Sequence, residues 1–274
     1  MSDVDQPVSF QAPKGVSNDA DLQRLTMALD VQAKLLSVRR LRSWAHDALA
    51  PRPGHRAVDV GAGTGEELQV LAISVGPSGD AIGIEPNAGL RAEAERRAEA
   101  AGSTARFVDG DAYALPFENS SVDLVRCERV WQHLAEPERA AAEIFRVLRP
   151  GGRAVVIDTD WATTILHPGD PAVVDAMVQS WLNGHPNPFS GRRLAGLLTA
   201  AGLAVADIGS QAQIHDAGLI EMVRKSMGAG AVEAGVITEQ QLDQLLTDLY
   251  AGADRGDFHS SVTMFAPVAH KTGD

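Results

Sequence analysis

The sequence of 274 residues contains one cysteine, two tyrosines and an aromatic content of only 5%. The single thiol, Cys127, cannot form an internal disulfide, and one cysteine is too few for a cysteine-rich zinc site. We therefore predict a cytoplasmic protein that holds no metal.

Long apolar runs are also missing. No segment approaches the roughly 18 consecutive apolar residues that cross a bilayer. The first residues, MSDVDQPVSFQAPKG, contain no basic stretch followed by an apolar core. The sequence thus predicts neither a secretion signal nor a membrane span. Residues 1–20 are polar and aperiodic, which is typical of a flexible N-terminus.

Positive charge is scarce. The chain has 24 basic and 36 acidic residues, a net charge of −12, and its average field repels phosphate backbones. We therefore expect no nucleic-acid partner. Three arginines do lie close together at Arg39, Arg40 and Arg42, and we interpret them as a solvated helix face. Whether the chain forms a homodimer is left open by the sequence.

The apolar pattern divides the chain into two kinds of segment. Residues 21–50 carry apolar side chains at helical spacing and end at a Pro-Arg-Pro-Gly breaker, which predicts N-terminal cap helices. Beyond this breaker, short β-rich runs alternate with helical ones, as in βαβ units. The predicted strands cover residues 56–60, 80–85, 105–110, 122–128, 153–160, 203–214 and 258–268. The predicted helices among them cover residues 66–75, 87–101 and 136–148.

These elements predict an α/β fold, a Rossmann-like seven-stranded and mostly parallel sheet sandwiched by helices. The domain would span residues 51–274. We expect cap insertions at about residues 162–191 and 216–257. Together with the N-terminal helices, they would form a lid that excludes water.

One segment, VDVGAGTGE, carries most of the functional information. A strand runs into Gly61, Gly63 and Gly65, so backbone without side chains faces a ligand beyond the strand's carboxyl end. A dinucleotide fingerprint has the spacing G-x-G-x-x-G, whereas here Glu66 stands at the third glycine. The carboxylates of Glu66 and Glu67 would oppose a pyrophosphate at this helix start. They would not oppose a ligand that carries an ammonium and a sulfonium.

A second acidic residue, Glu85, ends the next predicted strand in the segment GIEP. A carboxylate at this position can accept hydrogen bonds from both ribose hydroxyls, and it would repel a 2′-phosphate. NADP is disfavoured for this reason, whereas NAD is not excluded by this residue alone.

With these segments, the chain resembles the class I S-adenosylmethionine-dependent methyltransferases, specifically the small-molecule branch that includes the ubiquinone and menaquinone methyltransferases. The resemblance covers about residues 55–162. Its five segments occur in order, namely VDVGAGTGE, GIEP, GDAYALPF, VDLVRCERVWQHL and LRPGGRAVVIDTDW. The resemblance implies S-adenosylmethionine as cofactor and S-adenosylhomocysteine as product.

The resemblance also implies which residues bind the cofactor. They are Asp59, Gly61, Gly63, Gly65, Glu85, Pro86, Asp111, Ala112, Glu128 and Arg129. Asp59 and the glycines would line the methionine half, Glu85 would hold the ribose, and Asp111 would meet the adenine amino group. Family members commonly carry a small or polar residue where this chain has Glu128 and Arg129. Arg129 could therefore bind the cofactor carboxylate, pair with Glu128 or face the substrate.

The candidate general base is His133, because a neutral imidazole near the fourth strand can accept a proton as the methyl group transfers. The alternative is a histidine at a helix start that bonds to backbone. A candidate acceptor pocket follows strands four and five, where ligands bind in open α/β sheets. Its predicted lining is Trp131, Trp161, His167 and Trp181. Core packing also explains any single one of these tryptophans.

The sequence thus predicts an enzyme that transfers a methyl group from S-adenosylmethionine to an oxygen, nitrogen or carbon of a small-molecule acceptor. Two alternatives use a similar fold. One is a cyclisation or decarboxylation that uses the same cofactor site, and the other is an NAD-dependent oxidoreductase. No recognisable motif identifies the acceptor.

Overall fold

Seven strands form one sheet in the computed structural model, which describes residues 19–273. The strands are β1 (Arg56–Val60), β2 (Asp80–Ile84), β3 (Arg106–Val108), β4 (Val122–Glu128), β5 (Leu148–His167), β6 (Ala204–His215) and β7 (His259–His270). Their order is β3-β2-β1-β4-β5-β7-β6. β1 to β5 run parallel, and β7 lies antiparallel between β5 and β6. The predicted mostly parallel, seven-stranded sheet is confirmed. The N-terminal segment predicted to be flexible lies, up to residue 18, outside the described residues.

The strand order reverses between β1 and β4. β1 pairs with β2 on one side and with β4 on the other. The connection from β1 to β2 and the connection from β4 to β5 therefore run in opposite directions along the sheet. A crevice opens beyond the carboxyl ends of parallel strands at such a switch point. The topology therefore places a ligand site beyond β1 and β4.

Ten α-helices occur in the described residues. They are α1 (Asp19–Lys34), α2 (Leu36–Leu49), α3 (Glu66–Val75), α4 (Ala88–Ala100), α5 (Pro137–Val147), α6 (Pro171–Asn183), α7 (Ser190–Ala200), α8 (Leu219–Val223), α9 (Ala229–Glu233) and α10 (Glu239–Arg255). The three helices predicted between the first five strands agree with α3, α4 and α5 to within one residue. Across residues 19–273, no helix has both the length and the apolar character that a membrane crossing requires.

Helices cover both faces of the sheet. On one face, α5 and α7 bury Ile144 and Leu194 against strand residues such as Val58. On the other face lie α2, α3 and α4. The buried positions of α2 recur at intervals of three and four residues and are Val38, Leu41, Ala45 and Leu49. α2, which was predicted to be part of the cap, is therefore a layer of the sandwich.

The two predicted cap insertions pack against each other. A third apolar cluster unites α6, α8, α9 and α10 with Leu166 at the far end of β5. Its fully buried members include Met177, Ile220, Ala231 and Leu249. These helices thus form a small body with its own core, and the extended β5 joins it to the sheet.

β5 is longer than the sequence predicts. Its strand conformation begins at Leu148, whereas the prediction begins at residue 153, and it continues through Pro150, Gly151 and Gly152. A register shift between Val122 and Leu124 on β4 accommodates this segment. The far end of β5 pairs again with β7 and carries the chain from the sheet into the cap.

Candidate active site

The glycine-rich loop after β1 has a backbone that only glycine adopts without strain. Gly61, Gly63 and Gly65 have φ values of 73°, 55° and 79°. A Cβ on Gly61 would lie 2.3 Å from Cγ2 of Val130, and one on Gly65 would lie 2.5 Å from the Phe107 ring. The N–H of Gly61 donates to the Ile84 carbonyl at 2.8 Å, which ties the loop to β2. The loop is therefore a fixed, side-chain-free surface at the switch point.

Glu85 lies beside this loop at the end of β2. One carboxylate oxygen accepts from the Gly63 N–H at 2.9 Å, and the other accepts from the Asn87 N–H at 2.9 Å. Burial raises the pKa of this carboxyl, and the two backbone hydrogen bonds oppose the shift. Each oxygen accepts only one of these bonds, so each can still accept a ribose hydroxyl. The neighbouring Pro86 is exposed at the start of the turn into α4.

The segment after β3 contributes Asp111 and Ala112. The Asp111 side chain is exposed, and its Oδ1 accepts from the backbone N–H groups of Tyr113 at 2.7 Å and Ala114 at 3.2 Å. Ala112 is buried. Since β3 and β1 flank β2, the topology brings this segment, Glu85 and the glycine loop to one edge of the sheet.

Asp59 belongs to a buried charge network below the loop. Its carboxylate contacts Arg126 on β4 at 3.2 Å, and Arg126 also pairs with Glu67 and Glu128. Burial raises the pKa of Asp59 to about 6, while Arg126 opposes the shift. Burial also penalises ionised Glu128, but Arg126, Arg42 and Arg129 outweigh that penalty and lower its pKa. Asp59 is only 2% exposed, and the protein's own Arg126 pairs with its carboxylate.

Arg42 reaches this network from α2, which corrects its interpretation as part of a solvated face. Its side chain is only 16% exposed. The guanidinium binds Glu128 at 2.9 Å, Glu66 at 3.0 Å and Glu67 at 3.3 Å. The two carboxylates that open α3 are thus compensated, so their charge is a weaker argument against a pyrophosphate than the sequence suggested.

Arg129 follows β4 with a left-handed backbone, at a φ of 56°. Its guanidinium contacts Glu128 at 3.3 Å and donates to the side-chain carbonyl of Gln32 on α1. Burial lowers its pKa, and this effect outweighs the attraction of Glu128. Of the roles left open by the sequence, the ion pair with Glu128 is the one that the structure contains.

Helix α1 lies across the glycine loop and α4. Leu29 is the nearest neighbour of a Cβ built on Gly63, at 3.4 Å. Farther along α1, Asp30 forms two hydrogen bonds with Arg97 of α4, at 2.7 and 3.0 Å. α1 therefore covers the site from the side opposite the sheet.

An aromatic cluster lies beyond β5. The ring centroids of Trp161 and Trp181 are 6.0 Å apart in an edge-to-face arrangement, and those of Trp181 and His185 are 4.3 Å apart. The indole N–H of Trp161 donates to Gln132 at 2.7 Å. In contrast, the buried indole N–H of Trp181 has no hydrogen-bond partner within residues 19–273. The cluster thus offers apolar faces and a donor that no group of the described residues uses.

His133 lies near this cluster. Burial and the nearby His185 lower its pKa to about 4. The imidazole is therefore neutral at pH 7, as a proton acceptor must be, although a pKa this low makes it a weak base. His185 was not among the predicted site residues. Its Nδ1 lies 2.7 Å from the Trp181 carbonyl, which fixes the proton on Nδ1 because a carbonyl only accepts.

Two predicted pocket residues lie elsewhere, which corrects their assignment. Trp131 is 0% exposed within the core between the sheet and α5, because the short 3₁₀ turn Trp131–His133 directs it inward. His167 ends β5 at the cap, where it is 57% exposed and lies 3.4 Å from Asp257. Among residues 19–273, no group of three or more potential metal ligands is assembled.

The residues predicted from the sequence do not include Gln32 or His185, and Arg42 was interpreted as solvated. Arg42 and Glu128 are 86 positions apart, so only the fold brings them together. His185 had a usable signal, because it follows Trp181 by four residues, the spacing of neighbours on one helix face, although it lies two residues beyond the end of α6.

The sheet order, the glycine loop after β1 and the acid after β2 define a class, that of Rossmann-like α/β proteins with a ligand site beyond β1 and β4. A family model described as a methyltransferase domain matches residues 58–156. An uncharacterised 37.1 kDa protein from a transposon of Streptomyces fradiae is 35% identical over 253 residues, which cover 89% of this chain and 70% of that protein. The chain belongs to the class I S-adenosylmethionine-dependent methyltransferases, and its cofactor is S-adenosylmethionine.

Relatives with named activities match about half of this chain. The ubiquinone/menaquinone biosynthesis C-methyltransferase UbiE of Roseobacter denitrificans is 34% identical over 134 residues, 47% of this chain and 53% of that enzyme. This chain thus matches about half of that relative's length. A geranyl diphosphate C-methyltransferase from Streptomyces coelicolor has a TM-score of 0.55 at 15% identity, covering 97% of this chain and 89% of that one. The [4+2]-cyclase SpnF has a TM-score of 0.56 at 20% identity, covering 86% and 82%.

Proposed function

We propose that the protein transfers the methyl group of S-adenosylmethionine to a small-molecule acceptor that binds in the aromatic cluster of Trp161, Trp181 and His185. The observation that carries this proposal is a chain of hydrogen bonds that runs from the aromatic cluster to the end of β4, beside the glycine loop where the cofactor would bind. Gln132 accepts the Trp161 N–H, and its own amide donates to the Arg129 carbonyl at 3.3 Å. An acceptor against the indoles would therefore lie next to the end of β4.

The cofactor placement is part of this proposal. Asp59 and the glycine loop would line the methionine half, Glu85 with Pro86 would hold the ribose, and Asp111 with Ala112 would meet the adenine. Glu128 and Arg129 would face the amino-acid end. These residues fit S-adenosylmethionine for two reasons. The glycine loop leaves a space that side chains would otherwise fill, and carboxylates can bind an ammonium group and ribose hydroxyls.

When bound, the cofactor supplies an electrophilic methyl group on a sulfonium. The protein's own contribution is to bind, align and keep water out. Trp161 and Trp181 would hold a planar acceptor, and α1 would cover the cofactor bound at the glycine loop. We propose His133 as the group that accepts a proton from the acceptor where the reaction releases one.

The names of the relatives support a small acceptor. One acts in ubiquinone and menaquinone biosynthesis, and another is a geranyl diphosphate methyltransferase. A planar ring system fits the edge-to-face indoles better than a flexible chain does, since stacking needs a flat face. We therefore place phenols and quinols first among the acceptors to be tested.

The test is methyl transfer from radiolabelled S-adenosylmethionine to a panel of phenols, quinols and isoprenoids. On the best acceptor, Trp181→Phe should lower kcat/KM about tenfold, because the acceptor loses the hydrogen bond from the buried indole N–H. Tyr250→Phe, on α10 and 47% exposed, is the matched control and should change little. If the protein binds S-adenosylhomocysteine but transfers no methyl group to any compound, the proposal fails and the cyclisation or decarboxylation alternative gains support.

A further inference from the structure

Glu128 is shared by three guanidinium groups. Arg42 approaches both of its oxygens, at 2.9 and 3.2 Å, Arg126 binds one of them, and Arg129 lies 3.3 Å from the other. Glu128 is only 6% exposed on its side chain, so water screens this cluster weakly. One carboxylate cannot fully neutralise three cations.

The other two cations contact further carboxylates, whereas among the described residues Arg129 contacts only that of Glu128, and Asp158 acts on it at longer range. Arg126 also contacts Asp59 and Glu67, and Arg42 also contacts the two carboxylates that open α3. The second polar partner of Arg129 is the neutral amide of Gln32. The pKa directions agree with this difference, because neighbouring carboxylates raise the pKa of Arg42 and Arg126 above the opposing effect of burial, whereas burial lowers that of Arg129. Arg129 is thus a buried cation that lacks full compensation.

We infer that Arg42 is a positioning residue for the amino-acid end of the cofactor, because by holding Glu128 it leaves Arg129 to bind the cofactor carboxylate. This inference rests on the proposed placement of Arg129. Without Arg42, Glu128 would turn fully to Arg129 and compete with the carboxylate of the ligand. The role needs an arginine, because its planar fork reaches Glu128 and the start of α3 at once, whereas a lysine offers a single point charge.

The experiment compares two ligands by isothermal titration calorimetry. S-Adenosylhomocysteine carries the amino-acid end, and 5′-methylthioadenosine shares the adenosyl thioether but lacks that end. Arg42→Gln should weaken S-adenosylhomocysteine about tenfold and leave 5′-methylthioadenosine within about twofold. Arg42→Lys should give an intermediate loss. Arg40→Gln, an exposed neighbour on the same helix, is the control and should bind both ligands as the wild type does.

A double-mutant cycle separates positioning from general damage. If Arg42 acts through Arg129, Arg42→Gln should cost nothing further in an Arg129→Gln background. Equal weakening of both ligands, or independent losses in the cycle, would overturn the inference. If Arg42→Gln does not fold, as judged by circular dichroism, the folded Arg42→Lys variant decides by the same ligand comparison.

The outcomes also separate this inference from the proposal on which it rests. If Arg129→Gln does not discriminate between the two ligands, the cofactor placement is wrong. If Arg129→Gln discriminates and Arg42→Gln does not, only the role of Arg42 is wrong. The binding comparison does not depend on the methyl acceptor, because neither ligand carries a sulfonium that could donate a methyl group.

Discussion

At the scale of single residues, Gly61 has two independent reasons to be glycine. Its φ of 73° is strained for other residues, and a Cβ would lie 2.3 Å from the Val130 side chain that follows β4. Any side chain here must shift either the loop or the segment that carries Arg129. Cofactor affinity and fold stability are thus coupled at this position.

We expect Gly61→Ala to weaken S-adenosylhomocysteine binding at least about tenfold and to lower the free energy of unfolding by about 1–3 kcal/mol. Calorimetry and urea unfolding measure the two effects. Gly196→Ala is the control, since Gly196 lies in α7 with no atom within 4 Å of a built Cβ. It should leave binding unchanged and stabilise the helix by about 0.5–1 kcal/mol. Unchanged binding in Gly61→Ala would contradict the placement of the ligand on this loop.

Residue-level prediction from sequence succeeded where the signal was local. The glycine loop and Glu85 are neighbours of strand ends, so their spacing alone predicts that they meet at one edge. Trp131 also follows a strand end, but the inward direction of its 3₁₀ turn depends on packing against α5. The role of Arg42 could not be predicted from the sequence, because its partners come from other elements and only the folded structure shows that it is buried with them.

At the scale of elements, α1 is attached to the domain by few contacts. The bidentate pair of Asp30 and Arg97 links it to α4, and Glu93 braces the same arginine at 2.7 Å. The exposed apolar residues Met27 and Val31 show that α1 buries only part of its surface. An element held in this way can open locally at low cost, and a ligand beneath it must wait for that opening.

We therefore expect Asp30→Asn to speed the dissociation of S-adenosylhomocysteine several-fold and to raise amide hydrogen exchange in α1, with little change in global stability. Stopped-flow displacement and exchange mass spectrometry measure these changes. Arg24→Gln is the control, because Arg24 is 42% exposed and its salt bridge to Asp21, at 3.6 Å, lies within α1. Equal dissociation rates for wild type and Asp30→Asn would show that α1 does not gate the site.

Element prediction was accurate for α3, α4, α5 and the strand cores because their periodicity is continuous. It was less accurate for the N-terminal helices. The break between α1 and α2 falls at Leu35, whose extended backbone has ψ of 128°, and no glycine or proline marks it. The different positions of the two helices, α1 over the site and α2 in the sandwich, could therefore not be predicted.

At the scale of the whole molecule, buried groups with shifted pKa values make stability depend on pH. Burial raises the pKa of Asp158 to about 7, against hydrogen bonds from the Thr159 and Gln132 amides. Folding therefore favours protonated Asp158, and its contribution to stability falls as pH rises from about 4 to 7. Burial lowers the pKa of His133 to about 4, so protonation disfavours the fold and stability falls as pH drops from about 6.5 to 4.

Asp158 and His133 have opposite effects on stability in the same pH window, so each variant is compared with the wild type. In His133→Gln the acid-side loss disappears, and between pH 4.5 and 7 the free energy of unfolding should fall by on the order of 2 kcal/mol more than it does in the wild type. In Asp158→Asn it should fall by on the order of 2–3 kcal/mol less than in the wild type, whatever the uniform cost of the substitution. Asp59, with a pKa of about 6, contributes to all three proteins and cancels in these differences. Urea unfolding at fixed ionic strength, at half-unit pH steps, measures the slopes. A wild-type slope in His133→Gln would mean that His133 is not held neutral by burial, and its role as proton acceptor would lose its physical basis.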